Sequence, residues 1–194
     1  MAKGIRDAQN KLTEDAISNA FLKLLSEKDV HKITVKDICE HAGVNRGTFY
    51  LHYIDIVDLI DRLNSWYIDR AVHFYRMEFD SFGDKIDSEA LEAGVRGHLT
   101  LLASWPLYAE IVFGRGLCPQ FFDRLNQTCE REMREHIKKA GDKINLRKAE
   151  YDYAFGSAGV VGIMQKWCKD GLAESVDTIT DYIVTLLQKN NFFV

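Results

Sequence analysis

The chain has 194 residues, 46% of them hydrophobic and 28% charged, with 2 prolines; this length buries a core without disulfide or metal staples and suits one or two modest domains. No apolar run approaches the ~20 residues that cross a bilayer, and a formal net charge of -4 disfavours nonspecific binding to a polyanion. The start MAKGIRDAQNK lacks the apolar stretch of a signal peptide, and four cysteines (Cys39, Cys118, Cys129, Cys168) form no C-x-x-C pair, so reduced thiols and a cytoplasmic location are expected. Charge is uneven along the chain. Residues 1–53 hold 8 Lys+Arg and 7 Asp+Glu, a net of +1, and residues 54–194 hold 17 and 22, a net of -5. The asymmetry is mild and sets a slightly basic N-terminal part against an acidic body.

Lys3, Arg6 and Lys11 predict a short basic arm, placed where such arms lie along a phosphate backbone or minor groove. Thr13 with Glu14 and Asp15 predicts a helix start, acids in the first turn matching the helix dipole. Ala16, Ile17, Ala20, Phe21, Leu24 and Leu25 give that helix an apolar stripe. Its expected partners are Ile33, Val35 and Ile38, with Phe49 and Tyr53 closing a three-helix core.

The stretch Ile33 to Tyr53, ITVKDICEHAGVNRGTFYLHY, reads as two short helices joined by a tight turn. Thr34 caps the first helix while Asp37, three residues on, reaches back in a capping box. Val35, Ile38, Cys39 and Ala42 share one face. Gly43 supplies the left-handed stop and Val44 packs under the turn. Asn45 caps the second helix, in which Phe49 and Tyr53 lie four apart on one side. The outward groups are polar: Asn45, Arg46, Thr48, Tyr50 and His52, with Gly47 leaving room for the backbone to approach a duplex. Two capped helices around a small-residue turn are the helix-turn-helix layout, whose second helix enters a DNA major groove.

The run TVKDICEHAGVNRGTFYLHY resembles the signature of the TetR family of bacterial transcriptional regulators. Ala42, Gly43, Val44, Gly47, Thr48, Tyr50, His52 and Tyr53 occupy its places. The resemblance covers roughly the first 60 residues. It implies an all-α fold, with a three-helix helix-turn-helix domain over residues 1–54 and an antiparallel helical bundle over 55–194 for dimerisation and effector binding. It further implies phosphate contacts from Thr34, Tyr50 and His52, and base-edge contacts from Asn45, Arg46, Gly47 and Thr48. Where the family commonly places a phosphate-holding lysine shortly after the recognition helix, this chain has Ile56.

Beyond Asp55, IVDLIDRLNSWYIDRAVHFYRMEF runs without Gly or Pro, with Ile56, Leu59, Ile60, Leu63, Tyr67, Ala71, Phe74 and Tyr75 at three- and four-residue steps. One continuous helix is expected to join the DNA-reading part to the body. DSFGDKIDS breaks the pattern at Gly83. Residues 89–104 are helical again (Leu91, Val95, Leu99, Leu102) and end at Trp105-Pro106. A short helix stopped by Gly114 and Gly116 follows. Pro119 then opens a helix with Phe122, Leu125, Cys129, Met133 and Ile137 on one face. Residues 147–169 hold Ala154, Gly156, Ser157, Ala158, Gly159 and Gly162, a density of small residues that costs helix stability unless another helix approaches closely. With the apolar stripe of 175–187, these residues predict a four-helix interface between two copies. Such a homodimer is what a palindromic operator requires.

Six histidines never pair at i, i+4 and lie at no zinc spacing from a cysteine, so no metal site is expected. Without G-x-S-x-G, G-x-x-x-x-G-K or G-x-G-x-x-G, neither catalysis nor a bound cofactor has a motif to rest on. Aromatic side chains concentrate in the body. By resemblance, Trp105, Tyr108, Phe122 and Met164, with His98 as a polar anchor, are the expected lining of a small-molecule effector pocket. The sequence thus reads as a ligand-responsive repressor that binds double-stranded operator DNA as a dimer. Two alternatives stay open. One is an activator acting with a partner protein, since the Trp-Cys-Lys-Asp-Gly-Leu turn resembles the family branch that includes regulators of dihydroxyacetone kinase genes. The other is a helical interaction module that has lost DNA binding.

Overall fold

A computed structural model describes residues 2–80, 88–116, 118–140 and 145–189. Helix α1 spans Ala2–Glu27, so the first basic residues belong to a helix and form no separate arm. Thr13 is an interior residue of α1. Its Oγ1 donates to the Gln9 carbonyl at 3.0 Å, and this i to i−4 bond lets threonine sit inside a helix where the sequence suggested a cap. A single 3₁₀ turn, Val30–Lys32, follows and is capped by Asp29.

Helices α2 (Val35–Ala42) and α3 (Arg46–His52) form the hairpin. Gly43 has φ 67°, the left-handed conformation that only glycine adopts without a Cβ penalty, and both its N–H and that of Val44 donate to the Cys39 carbonyl. Most of the expected core is buried beneath the hairpin, while Ala16 and Val35, expected in it, are half-buried at its edge. Ile17, Phe21, Leu24, Leu25, Ile33, Ile38, Cys39, Phe49 and Tyr53 are buried, and Leu22 joins them.

Helix α4 runs over Ile56–Asp80. Its first turn is fixed by two aspartates acting reciprocally: Asp55 accepts from the Asp58 N–H at 2.8 Å, and Asp58 accepts from the Ile54 N–H at 2.9 Å. The chain divides into two compact units, residues 1–66 and 67–194, so this one helix contributes to both. The break expected at Gly83 lies outside the described residues.

In the second unit α5 (Ser88–Ala103) ends before Trp105 and Pro106, as proline demands. The short α6 (Pro106–Tyr108) continues into a π-helical segment, Ala109–Gly114. Gly114 lies against the backbone of Cys168 and Lys169, where a Cβ would stand 3.4 Å from their main-chain atoms. Helix α7 (Pro119–Ala140) buries Phe121, Leu125, Cys129, Met133 and Ile137. The sequence reading placed Phe122 on this stripe. Stepping back four residues from Leu125 reaches Phe121, and Phe122 sits about 100° around, half-buried.

Helix α8 (Leu146–Lys169) and α9 (Val176–Lys189) close the unit. Between them Gly171 and Leu172 take positive φ, and the Trp167 indole N–H donates to the Glu174 carbonyl at 3.0 Å. α9 packs on α5 and α8, while α8 packs on α7 and the π-helical segment. Arg76 grips Glu132 with two hydrogen bonds, at 2.6 and 2.9 Å, pinning α4 to α7. Among the described residues the structure is all helical, nine α-helices without a strand.

Candidate DNA-reading surface

The hairpin is set by its caps. Thr34 Oγ1 accepts from the Asp37 N–H at 3.2 Å, while Asp37 Oδ2 accepts from the Thr34 N–H at 2.9 Å, from Thr34 Oγ1 at 2.8 Å and from Lys28 Nζ at 3.0 Å. These donors, the Thr34 amide foremost, hold the Asp37 carboxyl at about 2, well below the usual carboxylate value. Lys28 thereby ties the end of α1 to the start of α2. The only hydroxyl proton of Thr34 is committed to Asp37, so a phosphate would have to compete for it.

Asn45 Oδ1 accepts from the Thr48 N–H at 2.8 Å and from Thr48 Oγ1 at 3.1 Å. Both side chains therefore serve the cap of α3, leaving the Asn45 amide nitrogen, which takes no part in it, as a donor. Gly47 contributes to the same geometry, because a Cβ there would stand 3.2 Å from Asn45 Oδ1. Arg46 is exposed and its guanidinium makes no ion pair among the described residues, so all five donors are available for a base or phosphate.

Tyr50 is 57% exposed and meets Phe49 edge-on at 5.5 Å. His52 faces inward. Its Nδ1–H donates to Glu14 of α1 at 3.2 Å, with only 12% of the side chain exposed. With that nitrogen engaged, Nε2 has a proton to give a phosphate only when the ring is an imidazolium. Arg62 stacks over Tyr53, its charge 5.5 Å from the ring centre, and pairs with Asp58 at 3.0 Å. The edge around Ile56 carries Asp55 and Asp58, both engaged in the helix cap.

Two features of this surface escaped the sequence reading. The local sequence around Glu14 signals a helix start, whereas in the fold Glu14 supports the end of α3; no local pattern marks a contact across 38 residues. Leu51 is 85% exposed in the middle of the outward face, where the reading attended to polar groups alone.

In the second unit, the aromatic candidates gather. Trp105 stacks on Tyr108 with centroids 4.7 Å apart, Tyr108 stacks on Tyr67 at 5.1 Å, and Phe113, Phe121 and Phe122 complete the set through edge contacts. His98 joins through a 2.8 Å hydrogen bond between its Nε2 and Tyr67 Oη. Tyr67, Tyr108 and Met164 are fully enclosed, while Trp105 and Phe122 are partly open. The centre of the cluster is Tyr67, which the sequence reading counted only as a helix-stripe residue.

Residues 17–63 match the bacterial regulatory proteins, tetR family. The N-terminal unit is a TetR-family helix-turn-helix domain. The TetR-family match covers α1 from Ile17, the whole hairpin and the opening of α4. A curated relative, the uncharacterized HTH-type transcriptional regulator YxbF of Bacillus subtilis (strain 168), is 24% identical over 184 residues, 93% of this chain and 46% of its own length. The chain thus spans about half the length of that relative. Among solved structures, the dihydroxyacetone kinase operon activator DhaS superposes with a TM-score of 0.63 at 18% identity, covering 92% of this chain and 95% of its own. The fatty acid degradation regulator FadR from Bacillus halodurans gives 0.65 at 20%, covering 90% and 94%. A TetR transcriptional regulator from Streptococcus agalactiae 2603V gives 0.58 at 23%, covering 95% and 98%. These likenesses extend the TetR-type architecture over the helical body. No helix among the described residues is long and apolar enough to cross a membrane.

Proposed function

We propose that the protein is an operator-binding transcriptional regulator that acts as a homodimer and answers to a small molecule in its helical body. The observation that carries the reading is α3: a capped helix within a three-helix unit, presenting the exposed Arg46, the bare backbone of Gly47 and the exposed Tyr50 on one surface. Such a helix fits a major groove, with the Asn45 to Thr48 end toward base edges and the Tyr50 and His52 end toward phosphates. Residues 1–54 then form the DNA-reading part and 55–194 the dimerising and sensing part.

Dimerisation is supported by α8 and α9. On α8, Tyr151 and Phe155 are each 67% exposed, and Ala154, Ala158, Gly159 and Gly162 continue the same exposed stripe at helical spacing. α9 adds Tyr182 at 58% and Leu186 at 49%. An apolar, close-approach surface of this kind suits a second copy, and twofold symmetry would present two α3 helices to two half-sites. For an effector, the aromatic cluster around Tyr67 with His98, Trp105, Tyr108 and Phe122 offers an apolar setting with few polar groups, and Met164, buried on α8, is the further candidate. A ligand preferring one of two conformations would shift operator occupancy. Repression is the family's usual mode. Activation is the second reading, favoured by the fold it shares with the activator DhaS.

The test is a gel shift of the full chain against its own upstream region, with in vitro transcription to fix the sign. Specific retardation at physiological salt is expected. A failure to retard any specific duplex would leave the helical interaction module as the surviving reading.

A further inference from the structure

We propose that Leu51 reads the C5-methyl group of a thymine in each operator half-site. The inference rests on the reading of α3 as the helix that enters the major groove. Phe49 is fully buried and fixes which side of α3 faces the core. At about 100° per residue, positions 47 and 51 each stand about 200° away from Phe49, so they mark the middle of the outward face. Neither carries a hydrogen-bonding side chain. Position 47 is glycine, with nothing beyond its backbone, and position 51 is a leucine that is 85% exposed. Arg46 and Tyr50, both exposed, flank this apolar centre and lie four residues apart on one side of it.

A leucine gives nothing to a phosphate, which accepts hydrogen bonds and repels apolar surface. In the major groove, the one apolar feature that distinguishes base pairs is the thymine methyl. Gly47 lets the helix approach closely, and an isobutyl group one turn further along then reaches the floor of the groove. The contact buries a methyl group against Leu51, worth about fourfold in affinity for each half-site. Cytosine at that place has a bare C5 edge and leaves Leu51 half solvated. The centre of α3 thus discriminates by shape and hydration, and Arg46 by hydrogen bonds.

The experiment starts with selection of a duplex from a random pool by the full-length protein. Each thymine of the selected site is then replaced in turn by deoxyuridine, which removes only the methyl, and binding is measured by fluorescence anisotropy. The parent should lose about fourfold at one thymine per half-site. Leu51→Ala, a change at an exposed position that circular dichroism should show to be fully helical, should bind thymine and deoxyuridine duplexes equally at that place. 5-Methylcytosine replacing cytosine there should restore affinity to the parent and leave the variant unchanged. If no thymine position is sensitive, or if Leu51→Ala keeps the same sensitivity, the assignment is overturned while the DNA-reading role of α3 stands. If no duplex is selected, that role itself fails and takes the assignment with it.

Discussion

Tyr67 of α4 and His98 of α5 are joined by a buried hydrogen bond, Oη to Nε2 at 2.8 Å. Complete burial penalises the imidazolium and lowers the His98 pKa from 6.5 to about 4. Unfolded, the ring takes up a proton near pH 6.5. The neutral buried ring therefore supports folding fully above that value; the support declines as pH falls and is gone below about 4. The span corresponds to roughly 3 kcal/mol. His98→Leu should remove this part of the acid slope and, by stranding the Tyr67 hydroxyl, cost about 1–3 kcal/mol at pH 7. Thermal unfolding of parent and variant from pH 7.5 to 4.5 measures both. Parallel curves would mean that the folded state already accommodates a charged His98.

The capping box offers a second stability test, local to the hairpin. Thr34→Ala removes the acceptor of the Asp37 N–H and one donor to its carboxylate. A loss of about 1 kcal/mol is expected from such a cap. Asp37, whose carboxyl is held at about 2, contributes stability that is present above its ordinary value of 3.8 and lost as pH falls through about 2. Hydrogen exchange should report the change first in the amides of α2. Unaltered protection there would mean that Lys28 and tertiary packing alone hold the turn.

The legible parts of this fold were those decided within a few residues. Thr34 with Asp37, Gly43 and Asn45 each carry their cap chemistry in the local sequence, and all three act as read. What escaped was decided by competition or by distance. Thr13 satisfies a carbonyl within a helix as readily as it caps one, so α1 continues through it. Phe121 and Phe122 are equally apolar and both meet Phe113, and only packing against Tyr67 and Tyr108 marks Phe121 as the ring that turns inward. The Glu14 to His52 bond joins residues 38 apart, and no periodicity announces it. At the candidate surface, a rule that looked for donors passed over an exposed leucine.

Gly162 separates the dimer from the monomer by sign. A Cβ at Gly159 or Gly162 meets nothing within 4 Å among the described residues, so the side chain of Gly162→Leu starts into open space. It should stabilise α8 itself by up to about 0.8 kcal/mol through helix propensity. At a close-packed interface between copies, the same side chain should force the helices apart and lose contacts along the seam. Sedimentation velocity is expected to show a monomer whose helix content equals or exceeds the parent's. A dimer as tight as the parent's would remove α8 from the interface.

Arg46 and Tyr50 divide the work of α3 between reading and positioning. Arg46 is exposed with its guanidinium outside any ion pair among the described residues, and its planar fork matches the O6 and N7 acceptors of a guanine. Tyr50 stands one turn on, its ring braced against Phe49 at 5.5 Å and the residue 57% exposed, a geometry suited to a phosphate, which carries no sequence information. Arg46→Ala should therefore remove roughly 1–3 kcal/mol on the preferred sequence and relax selectivity at one base pair per half-site. Tyr50→Phe should weaken selected and scrambled duplexes by the same factor. Half-sites should lie about one turn of B-DNA apart, or a small multiple, because the dimer axis relates the two helices. Isotherms at fixed salt on both duplexes separate the two roles, since a lost reading contact narrows the gap between specific and random DNA and a lost positioning contact preserves it. Equal losses for both variants on both duplexes would make α3 a backbone-binding helix, with selectivity supplied elsewhere.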